Sequence, residues 1–171
     1  MEKVTLLNLK KTKDSRGVFT KIYCEDDLEN FIEKMKIKET YYSVSQKNVI
    51  RGMHFQLPPH AHKKIVHVIQ GEVLDVVVDL RKESTSYQQC FSFHLTADQP
   101  QALYIPEGFA HGFKSLKDQT LMLYQVSSCY HADSDTGISY NSIDFDWGIS
   151  NPILSERDKG FISLLDFVSP F

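Results

Sequence analysis

The run Lys64-Ile65-Val66-His67-Val68-Ile69-Gln70-Gly71-Glu72-Val73-Leu74-Asp75-Val76-Val77-Val78-Asp79 decides the fold. It is dense in β-branched residues, which lose rotamer freedom in a helix and suit a pleated, buried surface. With Leu80 it reads as strand, Lys64–Leu80. Outward from it the same signature recurs in Val18–Cys24, Tyr41–Ser45, Val49–Gln56, Gln88–Leu95, Gln101–Ile105, Gly112–Ser115 and Leu121–Ser127, parted by polar or Gly/Pro turns. One internal helix is predicted over Asp26–Lys36. There Leu28, Phe31, Ile32 and Met35 fall at helical spacing, and acidic residues crowd the first turn. A second, short helix is predicted after Ser155, whose hydroxyl suits an N-cap ahead of Glu156, Arg157 and Asp158. Many short strands with few helices predict an all-β sandwich or barrel.

The chain has 171 residues, the size of one domain, 1–171. Its 19 basic and 22 acidic residues are mixed along the sequence and leave a net charge of −3. Without a polybasic run, nucleic acid and anionic membrane are not expected as main partners. An anionic ligand must therefore be held by a local cluster of cations, not by the overall field. Cys24, Cys90 and Cys129 form no CxxC pair, and no apolar segment opens the chain, so a reduced, cytoplasmic protein is expected. The three thiols read as structural. No apolar stretch approaches the ~18 residues of a membrane span.

Chemistry concentrates just before the deciding run. Arg51-Gly52-Met53-His54-Phe55-Gln56 is followed by Pro58, Pro59, His60, His62, Lys63 and Lys64. A base and fixed cations mounted on sheet suit proton abstraction beside a carbonyl, because the cations hold the charge that develops. The histidines His54, His60, His62 and His67 fit metal ligands equally well at this point.

Two features resemble the cupins. Pro106-Glu107-Gly108-Phe109-Ala110-His111 contains Pro-x-Gly-x-x-His, similar to the second cupin motif, in which a tight turn swings the histidine into the barrel. His60-Ala61-His62 resembles part of the first. Where a metal-binding cupin places a glutamate, this chain has Lys64, and a cation there repels a divalent ion.

More specifically, the chain resembles the dTDP-4-dehydrorhamnose 3,5-epimerases. The likeness is carried by Arg51 to Gln56, Pro59-His60-Ala61, Lys64, Gly71-Glu72-Val73, Asp75-Val76, Val78-Asp79-Leu80-Arg81, Ile105 to Phe113, Leu123-Tyr124 and Leu154-Ser155-Glu156-Arg157-Asp158. It runs in register from about Asp14 to Phe167. The resemblance implies a cupin-type jelly-roll barrel, a homodimer, and no metal or organic cofactor. The implied substrate is a nucleotide-diphosphate 4-keto-6-deoxy sugar, epimerised at C3, C5 or both. It also implies roles. His54 is the base, since imidazole accepts protons near neutral pH. Asp158 orients it, Lys64 stabilises the enolate, and Tyr124 returns a proton on the opposite face. Arg51 grips the diphosphate, and His111 lines the sugar site. Gln56, Ser43, Ser45 and Tyr130 are the remaining implied contacts, Tyr130 being also the rival proton donor. His60 and His62 read as rim residues, and His94 and His131 as surface. The competing reading is a metal-dependent cupin oxygenase or isomerase using the histidine cluster.

The chain departs from the family pattern where the nucleotide is recognised. Asp14-Ser15-Arg16-Gly17-Val18-Phe19 resembles the segment that reaches a neighbouring subunit's nucleotide; Arg16 and Phe19 match, but Lys21 replaces a usual Glu. The pattern Gln-x-Asn-x-Ser-x-Ser reads here Glu39-Thr40-Tyr41-Tyr42-Ser43-Val44-Ser45, keeping only the serines. The usual Trp-Pro is absent, with Trp147 displaced toward Gly148. These changes leave the base and the sugar open.

Overall fold

Gly71 divides the run that reads as one strand. Its φ of +86° is a conformation that side-chain-bearing residues rarely adopt. A Cβ there would stand 2.4 Å from Thr120 Oγ1. The chain turns at this point from one sheet to another: β6 (Lys64–Gln70) belongs to the first and β7 (Glu72–Asp79) to the second. The computed structural model describes residues 2–28 and 35–171.

The first sheet has the order β1 (Thr5–Asn8), β9 (Gln101–Ile105), β6, β11 (Thr120–Val126), β4 (Glu39–Ser45). The second runs β12 (Asp135–Gly137), β5 (Ile50–Gln56), β10 (Phe109–Ser115), β7, β8 (Cys90–Thr96). Every pairing in them is antiparallel. Consecutive strands β5, β6 and β7 alternate between sheets, which makes the sandwich a jelly-roll barrel of the expected all-β class. A hairpin, β2 (Lys10–Asp14) and β3 (Gly17–Lys21), pairs with neither sheet.

Three apolar clusters explain why β6 and β7 read as unbroken hydrophobic runs. Val66, Val73, Val77, Leu103, Phe113 and Met122 pack between the sheets. Val76, Val78, Met53, Phe55 and Ala110 lie on the outer face of the second sheet, covered by Ile143, Trp147 and Leu164 from the C-terminal segment. Ile65, Ala102 and Tyr104 lie outside the first sheet with Leu7 and Met35. Strands buried on both faces lose the polar alternation of a half-exposed strand.

Some expectations change. The strands β1, β2 and β12 escape the sequence reading because β2 (KKTKD) is exposed throughout and β12 is three residues long. The predicted helix Asp26–Lys36 is described only as α1 (Glu25–Leu28), and Phe31 and Ile32 lie outside the described residues. The predicted C-terminal helix is present as α2 (Glu156–Lys159), with Ser155 Oγ accepting the Asp158 N–H at 3.1 Å.

One irregularity aims the chemistry. Across β5 and β10, His54 faces His111 while Arg51 faces Phe113, so β5 carries one more residue than its partner. This bulge reverses the parity of the strand. Arg51, His54 and Gln56 turn inward, while Ile50, Met53 and Phe55 stay in the outer cluster. Gly52 sits at the bulge with φ +138°, and a Cβ on it would meet Gly112 Cα at 2.5 Å. Gly52→Ala is therefore expected to cost about 2 kcal/mol or more of stability. Urea unfolding would measure it as a lower midpoint at unchanged slope.

Candidate active site

The barrel holds a cavity of about 360 Å³ whose walls come from both sheets. From the second sheet, β5 contributes Arg51, His54 and Gln56, and β10 contributes His111 and Phe113. From the first, β4 contributes Glu39, Tyr41 and Ser43, β6 Lys64, and β11 Tyr124. Tyr130, Asp135 and Arg157 close its side.

His54 is held from behind. Its Nε2 donates to Asp158 Oδ1 at 2.9 Å, which leaves Nδ1 with a free lone pair. The other oxygen, Asp158 Oδ2, accepts the Gly52 N–H at 3.1 Å. Burial alone would raise the Asp158 pKa, but the His54 hydrogen bond and charge, with the Gly52 N–H, hold it below the usual carboxylate range. Phe161 meets the His54 ring edge-on at 5.6 Å. The His54 side chain is 30% exposed while that of Asp158 is 5% exposed, so the imidazole faces the cavity and the carboxylate does not.

Lys64 is 5% exposed and directs its Nζ to the backbone oxygen of His54 at 3.1 Å. Burial lowers its pKa to about 8, partly offset by Asp135 and Asp75. Deeper still, His111 Nε2 lies 2.9 and 3.1 Å from the two oxygens of Asp75, a carboxylate with no exposed surface. Burial pushes the two in opposite directions, Asp75 upward and His111 downward, and each partly restores the other's charge.

On the facing wall Tyr124 is buried, stacked on Tyr41 with ring centroids 4.8 Å apart. Its hydroxyl lies 3.4 Å from Ser43 Oγ. Burial raises the Tyr124 pKa strongly, the Ser43 hydrogen bond and the Arg51 charge opposing it in part. Arg51 is oriented by Nε donating to Ser45 Oγ at 3.0 Å and Nη2 to Val44 O at 3.2 Å.

Gln56, grouped by the sequence reading with substrate contacts, fastens the rim. Its Nε2 donates to His60 O at 2.8 Å and Cys129 O at 3.2 Å, and its Oε1 accepts the His131 N–H at 2.7 Å. That orientation makes His62 Nδ1, 3.1 Å away, an acceptor. His62 lines the cavity, and burial together with Lys64 and His111 lowers its pKa to about 3. His60 stacks on His131 with ring centroids 3.7 Å apart. His67 points to the outer side and bonds Gln125 at 3.1 Å. The histidines are thus split among separate partners. Among the described residues no three His, Cys, Asp or Glu side chains group as a metal-holding cluster. Arg16 and Phe19 sit on the β2–β3 hairpin, outside the set that lines the cavity, with Arg16 paired to Asp14 at 2.7 Å.

The sequence reading gave no site role to Asp75, Tyr41, Glu39 or the Asp135–Arg157 pair, whose closest approach is 2.6 Å. Asp75 had a signal: a lone carboxylate between Val73 and Val77 on the inward face of an apolar strand. The Asp135–Arg157 pair joins distant parts of the chain and had none.

The dTDP-4-dehydrorhamnose 3,5-epimerase family model matches residues 1–166. The chain belongs to that family. It is 39% identical to the dTDP-4-dehydrorhamnose 3,5-epimerase of Salmonella typhimurium, covering 91% of this chain and 87% of the relative. Its backbone superposes with a TM-score of 0.91 on the Bacillus anthracis epimerase solved with TDP and PPi bound, at 37% identity and 94% coverage of both chains. The Legionella pneumophila epimerase in complex with dTDP-4-keto-L-rhamnose is 30% identical, with a TM-score of 0.90, covering 96% of this chain and 89% of that one.

In this family member the Lys64 ammonium is expected to titrate near pH 8, far below an exposed lysine. NMR of the lysine side-chain εCH₂ groups from about pH 6 to 11 checks this. A single resonance moving early, and missing in Lys64→Met, is the expected result.

Proposed function

We propose that the chain is a cofactor-independent epimerase inverting C3, C5 or both of a nucleotide-diphosphate 4-keto-6-deoxy sugar, dTDP-4-keto-6-deoxyglucose or a close relative. The observation that carries this reading is that His54 and Tyr124 stand on opposite sheets across one cavity, with Lys64 reaching over to the His54 carbonyl. A carbon beside the C4 carbonyl can then lose a proton on one face and gain one on the other.

In the first step His54 Nδ1 takes the proton, and Asp158 stabilises the imidazolium through Nε2–H. Negative charge moves to the C4 oxygen, where the Lys64 ammonium stabilises it. In the second step the Tyr124 O–H breaks as the new C–H bond forms, and charge passes from the enolate to the phenolate. Arg51, preset by Ser45 and Val44, offers its planar fork to the diphosphate. His111, braced by Asp75, lines the sugar pocket.

We further propose that two copies associate. β4 is an edge of its sheet, and its outward Tyr42 and Val44 are 66% and 42% exposed. An uncovered apolar edge strand invites pairing. The β2–β3 hairpin, with Phe19 66% exposed, would carry Phe19 and Arg16 to a partner's nucleotide. The cysteines are unpaired, which suits the reducing cytoplasm, and the product would enter deoxysugar and polysaccharide synthesis.

Incubation with dTDP-4-keto-6-deoxyglucose in deuterated water tests the reaction: deuterium is expected at C3, C5 or both. His54→Ala should slow incorporation by about 10²–10⁴-fold. No exchange with any nucleotide 4-keto sugar would sink the proposal. Because the reaction uses the charged form of Lys64, kcat/KM should fall as pH rises through about 8, where the folded-state pKa is depressed to that value. For the assembly, light scattering should report a dimer, and Tyr42→Asp with Val44→Asp should yield monomer.

A further inference from the structure

Tyr124 is seated by one neighbouring strand. In the β11–β4 register Tyr124 stands opposite Tyr41, and Met122 opposite Ser43. With a side-chain period of two, Tyr41 and Ser43 share the cavity face with Tyr124. Tyr41 lies nearly flat on the Tyr124 ring, at 15° between planes, and His111 meets that ring edge-on at 6.3 Å. Among the described residues Ser43 is the hydrogen-bonding partner of the Tyr124 hydroxyl.

This setting creates a difficulty for the proton-return step. A phenol buried against another ring resists ionisation, as the direction of its pKa shift records. Yet returning a proton to carbon leaves a phenolate in that same place. A buried anion without a donor is costly, and a backbone N–H cannot supply one from the face of a strand whose amides are tied in the sheet. A serine hydroxyl can. Either oxygen can donate in the resting pair, and once the Tyr124 proton has left, the serine hydroxyl donates to the phenolate.

We propose that Ser43 and Tyr41 are positioning residues for proton return: Tyr41 holds the Tyr124 ring in the cavity wall, and Ser43 turns its hydroxyl to stabilise the phenolate. This rests on the reading of Tyr124 as the proton donor. The Tyr124 proton goes to the enolate carbon, the electron pair of its O–H bond stays on the phenolate, and solvent then reprotonates that oxygen while His54 releases the proton it took. If the return is slowed, His54 hands a solvent-exchanged proton back to the original face instead.

The two routes are separable in deuterated water with dTDP-4-keto-6-deoxyglucose. Exchange with retained configuration reports His54, and inversion reports Tyr124. In Ser43→Ala and Tyr41→Ala, inversion should fall by about 10-fold while retained exchange persists, raising the ratio of exchange to inversion by that factor. Ser43→Thr and Tyr41→Phe keep the hydroxyl and the stacked ring, and their ratio of exchange to inversion should stay near the wild-type value. The idea is overturned if the ratio is unchanged in both alanine variants, whether both rates drop together, as general damage to the site would cause, or neither moves. A large loss in Tyr41→Phe would overturn it too, by making Tyr41 itself the donor. The two variants are independent, so misfolding of one leaves the other to decide. A wild-type protein inert toward every nucleotide 4-keto sugar would instead remove the epimerase reading on which this one stands.

Discussion

The Asp158 carboxylate is the point on which the site depends. One oxygen takes the His54 Nε2–H and the other takes the Gly52 N–H at the β5 bulge. Its own N–H is capped by Ser155. A C-terminal turn is thereby bonded to the place where the strand changes parity, and both the aim and the tautomer of His54 follow from that bond. The coupling is strong because Asp158 is 3% exposed, where charge-assisted hydrogen bonds are little weakened by water.

Around that anchor the cavity is a set of compensated charges in an otherwise apolar barrel. Asp158 answers His54, Asp75 answers His111, and Asp135 answers Arg157. Lys64 is left with a backbone carbonyl as its hydrogen-bond partner and two carboxylates that only partly offset its burial. In the proposed reaction, an ammonium held this way meets the negative charge developing on the substrate with little reorganisation.

Much of this was legible in the chain. The strands showed themselves because β-branched residues dominate both buried faces of β6 and β7. The serine cap of α2 was readable because capping is local. The corner at Gly71 was hidden in a continuous hydrophobic run, since both halves bury two faces and look alike. Gln56 was read as a ligand contact from the resemblance; the structure keeps it in the cavity wall and also shows its amide joining two rim loops, which no local pattern displays. Tyr41 marked a departure from the family pattern in sequence, and only its stacking on Tyr124 showed what it touches.

By itself the sequence determined the fold class, the family and the kinds of groups available for proton transfer, because these depend on local periodicity and on motifs whose order along the chain is preserved. The tertiary structure decided which of those groups meet. His54 and Asp158, Tyr124 and Tyr41, and Asp135 and Arg157 are distant in sequence, and their contacts arise from strand register, one bulge and the crossing of the chain between sheets. Register and crossing are set by the packing of the whole core, and no local stretch of residues contains that information.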